Sequence, residues 1–151
     1  MDRDAAVGHE GAMDDPYDLA RFVAAQEPVY EQVRTELEQG RKTSHWMWFV
    51  FPQIAGLGHS PTARRFAISG REEAELYGLH PILGPHLRDC TRLVNHIEGR
   101  TLHDIFGSPD QMKFQSSMTL FATAQDDNRD FLDALEKYCG GQFDPLTLDR
   151  L

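Results

Sequence analysis

Cysteine is nearly absent. Cys90 and Cys139 are the two thiols in 151 residues, and neither belongs to a Cys-x-x-Cys pair. That excludes a disulfide framework and a cysteine-rich metal knuckle. Long apolar runs are missing as well: the longest, Trp46 to Phe51, has six residues, against the roughly 20 that a membrane-spanning helix needs. No Asn-Gly or Asp-Gly hairpin signal and no sustained alternation announce β-strands. The His-Glu-x-x-His, Walker, Gly-x-Gly-x-x-Gly and Gly-x-Ser-x-Gly patterns are also missing, which removes the motif-based cases for a zinc protease, a nucleotide cradle and a nucleophile elbow. Met1 to Asp15 has no apolar stretch of the kind a secretory signal requires. With 40% hydrophobic and 26% charged residues, these absences predict a reduced, cytoplasmic protein with no membrane segment, no metal and no resident cofactor. A chain of about this length buries roughly 70% of its unfolded surface, enough for a true core.

What is present is helix punctuation. Asp15-Pro16, Ser60-Pro61, Ser108-Pro109 and Asp144-Pro145 each place a capping side chain before a proline suited to the first helical turn. Ser69 with Glu72, and Ser108 with Gln111, have capping-box spacing. Gly40, Gly99, Gly107 and Gly140-Gly141 stand where helices would stop. Between these marks apolar residues recur at three and four, most clearly in Leu83, Leu87, Cys90, Leu93, Val94 and Ile97. The pattern predicts helices near 16–26, 28–39, 61–68, 70–78, 81–98, 101–106, 109–123, 128–139 and 145–150. Trp46–Phe51 is apolar all round, and periodicity alone does not assign it to helix or strand; Ser44 and Pro52, which would bound it as a short helix, favour helix. The expected fold is all-α, a single compact array of about eight or nine short helices over 15–151, preceded by a disordered tail at 1–14.

The formal net charge of −9 is unevenly spread. From Gly40 through Arg71 there is no Asp or Glu, while Arg41, Lys42, Arg64, Arg65 and Arg71 are positive. The same window holds both tryptophans, His45, Gln53 and the run Gly56-Leu57-Gly58-His59-Ser60. Cations, donors, aromatic faces and glycines that let backbone approach are the ingredients of an anion pocket. A helix starting at Pro61 would add the positive end of its dipole. Further along, Lys113, Ser116 and Ser117 share one helical stripe, either as a solvated face or as an ammonium and hydroxyl beside an oxyanion.

Other signals weigh less. His86 and Cys90 have ligand-like spacing, but Cys90 falls in the apolar stripe and no second pair accompanies it. His45, next to the aromatic run, is expected to be partly buried and neutral. A duplex nucleic acid is excluded as a partner because the acidic bulk repels a long phosphate backbone; a mononucleotide stacking on Trp46 or Trp48 is compatible with the residues.

The stretch Ser44-His45-Trp46-Met47-Trp48-Phe49-Val50-Phe51-Pro52-Gln53 resembles a bacterial family of uncharacterised small proteins, a domain of unknown function some of whose members carry the label "calpastatin". Gly56-Leu57-Gly58-His59-Ser60 with Arg64, His80-Pro81-Ile82-Leu83-Gly84, and Phe106-Gly107-Ser108-Pro109-Asp110 with Lys113, Ser116 and Ser117 extend the resemblance over Asp15 to Leu151. It implies a small, mainly helical fold and brings no catalytic residues with it. The calpastatin label conflicts with the residues: that inhibitor is a disordered chain that wraps its protease, whereas this sequence is aromatic and capped.

Two readings follow. In the first, the chain binds a small anionic ligand, a nucleotide or phosphorylated metabolite, and acts on it if chemistry occurs. Arg64, Lys113 and loop amides would hold the oxyanion, Trp48 would form a wall, Gln53 would hydrogen-bond, and His45 or His59 would be the acid/base; Arg41 and Ser60 would also line the site, with Ser117 behind. In the second, the chain is a protein-interaction or self-associating module without catalysis. Neither a reaction nor an oligomeric state is written in the residues.

Overall fold

Proline, glycine and short polar side chains set the limits of the helices. The computed structural model describes residues 15–151, so the expected tail at 1–14 lies outside the described residues. Among the described residues ten helices follow one another: α1 (Ala20–Gln26), α2 (Tyr30–Glu38), α3 (Met47–Val50), α4 (Pro61–Arg65), α5 (Arg71–Leu79), α6 (Leu83–Asn95), α7 (Leu102–Phe106), α8 (Asp110–Ala124), α9 (Arg129–Cys139) and α10 (Pro145–Leu148). The fold is all-α and forms one compact array. Among the described residues the only β-type pairing is an isolated parallel bridge between Ile54 and Ile68.

Two of the four proline starts behave as expected. Ser60 Oγ accepts from the Ala63 N–H at 3.1 Å, and Asp144 Oδ1 from the Leu146 N–H at 3.3 Å. At Asp15-Pro16 the carboxylate instead accepts the N–H groups of Leu19 and Ala20 at 2.7 and 2.9 Å, so a turn fills the interval and α1 starts at Ala20. Ser108 caps nothing: the Gln111 N–H goes to the Gly107 carbonyl at 2.9 Å, and α8 starts at Asp110. The box expected of Ser69 and Glu72 is made one residue later, where Glu73 takes both the N–H and the Oγ–H of Ser69 at 2.8 Å. A reciprocal box forms at Thr101 and Asp104, a pair that sequence reasoning passed over. Gly40, Gly99, Gly107, Gly140 and Gly141 all have positive φ, as stop positions require.

The centre is α8, which packs against α5, α7, α9 and α10, while α6 packs against α2, α5 and α9. From Phe114 to Ala124 almost every α8 residue is buried, including Ser116, Ser117 and Thr119. Three of its hydroxyls, though not that of Ser117, bond back to carbonyls one turn earlier: Ser116 to Met112 at 3.1 Å, Thr119 to Gln115 at 2.9 Å and Thr123 to Thr119 at 2.8 Å. Phe51 packs edge-on against Phe114 and Phe106 with centroids 5.0 and 5.9 Å apart. That contact joins the aromatic segment to the central helix.

The segment itself becomes a single turn, α3, because a buried carboxylate holds it from below. Ser44 is not its cap. Glu36, 2% exposed on α2, accepts the N–H groups of Thr43 and Ser44 at 2.8 and 3.1 Å, the Ser44 hydroxyl, the Gln32 amide at 2.8 Å and the Trp46 indole N–H at 2.9 Å. Burial alone would push the Glu36 carboxyl up, but these donors outweigh it and hold it down at about 2.

The α5–α6 corner is a close backbone approach. A Cβ on Gly84 would run into the Gly78 carbonyl oxygen, and one on Gly78 into the Gln125 amide.

Two stability predictions follow from these contacts. Glu36→Gln is expected to destabilise the fold by about 2–4 kcal/mol in denaturant melts, because it removes the charge that all five donors face. In the unaltered chain the ionised Glu36 contributes fully above its unfolded value near 4.5 and loses that contribution as pH falls toward about 2. Stability should therefore decline across that acid window, and Glu36→Gln should flatten that part of the profile. Gly84→Ala is expected to cost about 1–3 kcal/mol through overpacking, while Gly70→Ala, extended and with nothing within 4 Å, should change stability by less than about 0.5 kcal/mol.

Candidate functional site

After Phe51 the chain leaves α3 and is pinned twice to the strand-like residues beyond α4. The Gln53 carbonyl accepts the Ile68 N–H at 2.9 Å, and the Ala55 N–H donates to the Ile68 carbonyl at 2.8 Å. Gln53 is therefore anchored through its backbone, with its half-buried side chain left for other partners. The following loop needs its glycines. Gly56 has φ +99, and the Arg150 guanidinium occupies the space a Cβ would take; Gly58 lies so close to Ala63 that a Cβ would come within 2.7 Å.

Lys113, in the first turn of α8, reaches across to Trp48, its ammonium 5.0 Å from the ring centroid. The same ammonium lies 3.4 Å from an Asp110 carboxylate oxygen, while the other oxygen takes Lys42 at 2.9 Å. Lys42 in turn stands 5.4 Å from the Trp46 ring centroid. Two ammonium groups thus share one carboxylate, and all three side chains are at most 22% exposed.

Gln53, Gly58 and Lys113 border two hollows. One, against Trp48 and Phe51, is a slot of about 10 Å³, no larger than a water; the other, toward Met112, Ser116 and Asp144, is open and has about 290 Å³. Asp144 at its far side is well satisfied, taking the hydroxyls of Ser116 at 2.8 Å and Thr147 at 2.6 Å.

The fold gathers Trp48, Gln53 and Lys113, and leaves the other sequence candidates elsewhere. Arg41, His45, His59, Ser60 and Arg64 are exposed and line neither hollow. His45 does not share the burial of its neighbours: the chain reverses at Thr43–Ser44 to meet Glu36, and the imidazole faces solvent. Ser60 is occupied as the α4 cap. The helix it caps spans only Pro61–Arg65, too short to build a dipole of consequence. Ser117 is fully buried, its Oγ without a hydrogen-bond partner, and it lines neither hollow.

Sequence reasoning missed Asp110 and Arg150, and left Lys42 among the background cations. Asp110 and Lys113 had a legible signal, a carboxylate and an ammonium one helical turn apart. Lys42 was marked only as one cation of the acid-free window, and Arg150, from a distant part of the chain, had no signal.

The His86–Cys90 pair is core. His86 stacks on Tyr30 with centroids 3.6 Å apart and sets Nδ1 2.8 Å from the Gln26 amide oxygen, and burial holds it below its ordinary value. Burial also pushes the Cys90 thiol up to about 12. Among the described residues no three His, Cys, Asp or Glu side chains gather in a way that would hold a metal ion.

Fold and site together describe a small all-helical domain with a shallow cationic and aromatic hollow. The chain belongs to the family described as "Protein of unknown function (DUF1810)", whose model matches residues 16–151. Its structure is similar to the crystal structure of the conserved hypothetical protein Rv1873 from Mycobacterium tuberculosis, with a TM-score of 0.90 and 57% identity over 91% of this chain and 98% of that one. No curated protein matches. The resemblance read from the tryptophan-rich stretch therefore holds at the level of a family of unknown function.

Proposed function

We propose that this chain binds a small anionic ligand of phosphorylated-metabolite size in the hollow between Gln53 and Lys113. The observation that carries this reading is the charge count: Lys42 and Lys113 face the single carboxylate of Asp110. A half-buried ammonium that shares its counter-ion keeps unneutralised charge, and an incoming oxyanion gains a charge-assisted hydrogen bond there. Gln53 supplies a neutral amide beside it, and the Arg150 cation lies over Gly56, on the neighbouring slot. The satisfied Asp144 opposes a large negative charge and favours a single anionic group.

The volume of about 290 Å³ sits at the small end of ligand pockets, about 300–1,000 Å³. A phosphorylated metabolite suits it better than a nucleotide, because Lys113 already occupies the Trp48 face on which a base would stack. Trp48 then acts as a seat for the cation. Arg41, Ser60 and Arg64 would lie outside the contact, Ser117 would support Lys113 from within α8, and the exposed His45 and His59 would have no acid/base part. Binding without chemistry is the reading these positions support. The unpaired Cys90 and Cys139 suit a reducing cytoplasm, and among the described residues no helix is long and apolar enough to cross a membrane. A second reading, a protein-interaction module, is favoured by exposed apolar side chains on another face.

Titration calorimetry with inorganic phosphate, phosphosugars and nucleoside phosphates tests the site. At about 100 times Kd, a true ligand raises stability by about 2.7 kcal/mol. Lys113→Ala should weaken that ligand at least about tenfold, whereas Asp110→Asn, which releases both ammonium groups, should tighten it. A flat response across the panel, or equal binding by Lys113→Ala, contradicts the proposal.

A further inference from the structure

Apolar side chains are exposed on a face that the anion site does not use. Leu79, at the end of α5, is 74% exposed, and Ile82, in the turn that follows, is 43% exposed. Together with Leu19, Val23 and Leu76 they wall an open groove of about 600 Å³ between α1 and α5. Contiguous exposed apolar surface of this kind marks a contact site in proteins that otherwise keep such side chains inside.

The surroundings of the groove are acidic. Asp15 and Glu27 lie on its rim. Past Leu79 and His80 the surface continues into a second open hollow of about 790 Å³, edged by Glu75, Asp89, Asp126 and Asp127. The cations there are already engaged, in part with Asp89 and Asp127 of the same edge. Arg88 donates to the Gly78 and Asp127 carbonyls at 2.9 Å and pairs with the Asp127 carboxylate at 3.4 Å; Arg92 pairs with Asp89 at 3.3 Å and with Asp130 at 3.0 Å. His80 adds no charge of its own to the groove: Nδ1 accepts the N–H groups of Ile82 and Leu83 at 3.1 and 3.2 Å, and burial lowers its affinity for a proton.

We propose that this groove docks a basic amphipathic helix of a partner protein, its apolar side chains set on Leu79 and Ile82 and its Lys or Arg side chains reaching the flanking carboxylates. Helix-in-groove recognition needs an apolar trough with anchors at helical spacing, and charge on the rim selects the sign of the partner. Charge also separates the possible occupants. A second copy brings a formal net charge of −9, and residues 1–14 carry four acids against one arginine. Both meet an acidic rim with like charge, as does an anionic membrane surface.

Fluorescence anisotropy on the full chain tests this with two labelled amphipathic peptides of equal length, one Leu/Lys and one Leu/Glu. The Leu/Lys peptide should bind, should weaken when salt rises from about 0.15 to about 0.5 M, and should lose at least about tenfold in affinity on a Leu79→Ser, Ile82→Ser chain. Amide shifts mapped on the unaltered chain should centre on Val23, Leu76, Leu79 and Ile82, which keeps the test valid should that variant fold poorly. Equal binding of the Leu/Glu peptide, or shifts spread over the acidic surface outside the groove, would overturn the proposal. So would sedimentation showing a dimer that the two serine substitutions dissociate, which would assign the face to self-association.

Discussion

The carboxylate of Glu36 is the interaction on which the rest of the molecule depends. It is a buried charge, and a buried charge is tolerated only when its lone pairs are filled. Here backbone amides, a hydroxyl, an amide side chain and an indole all converge on it. The donors come from the link after α2 and from the first tryptophan of the aromatic segment, so the charge fixes where that segment enters the core. Once Trp46 is held, Phe51 meets Phe106 and Phe114, and α3 is fastened to the central helix at its other end.

The cationic hollow is a consequence of this placement. Trp48 projects from a turn whose two ends are fixed, and Lys113 rises from the first turn of α8 beside it. Lys42, in the link after α2, stands immediately before the residues that bind Glu36, and its ammonium meets Asp110. The Lys42 N–H also donates to the Ile105 carbonyl at 2.8 Å, so the cation is held by backbone as well as by charge. The site is thus assembled from three distant stretches whose registration traces back to one carboxylate. The apolar groove at Leu79 belongs to the opposite logic. It lies beside the Gly78–Gly84 corner, where α5 gives way to α6 and Leu79 and Ile82 are left exposed.

Most of the helical scaffold was legible because proline, glycine and short polar residues act locally. Ser60, Asp144 and the positive-φ glycines needed only their neighbours in sequence to be understood. The exceptions are local conflicts decided by competition: Glu73 outbids Glu72 for Ser69, and the Asp15 side chain closes a turn where a helix was expected. Trp46–Phe51 has no period, and its state was set by Glu36, ten residues from the indole it binds. The same limit applies to the site. The acid-free window from Gly40 to Arg71 drew notice to Trp48 and Gln53, but composition says nothing of which side of a helix a cation leaves from. Arg41, Arg64, His45 and His59 face water for that reason, while Arg150, outside the window, folds back over Gly56. Ser117 shared a stripe with Lys113 on paper; burial of α8 on nearly all sides took it into the core.

The most direct measurement follows the indole N–H resonance of Trp46 by NMR through an acid titration. The account predicts a hydrogen-bonded indole proton, displaced from that of Trp48, that moves with a midpoint at about 2 as Glu36 is protonated. A midpoint near the ordinary 4.5, or an indole signal indifferent to pH, would contradict the claim that an ionised Glu36 holds the aromatic segment in place.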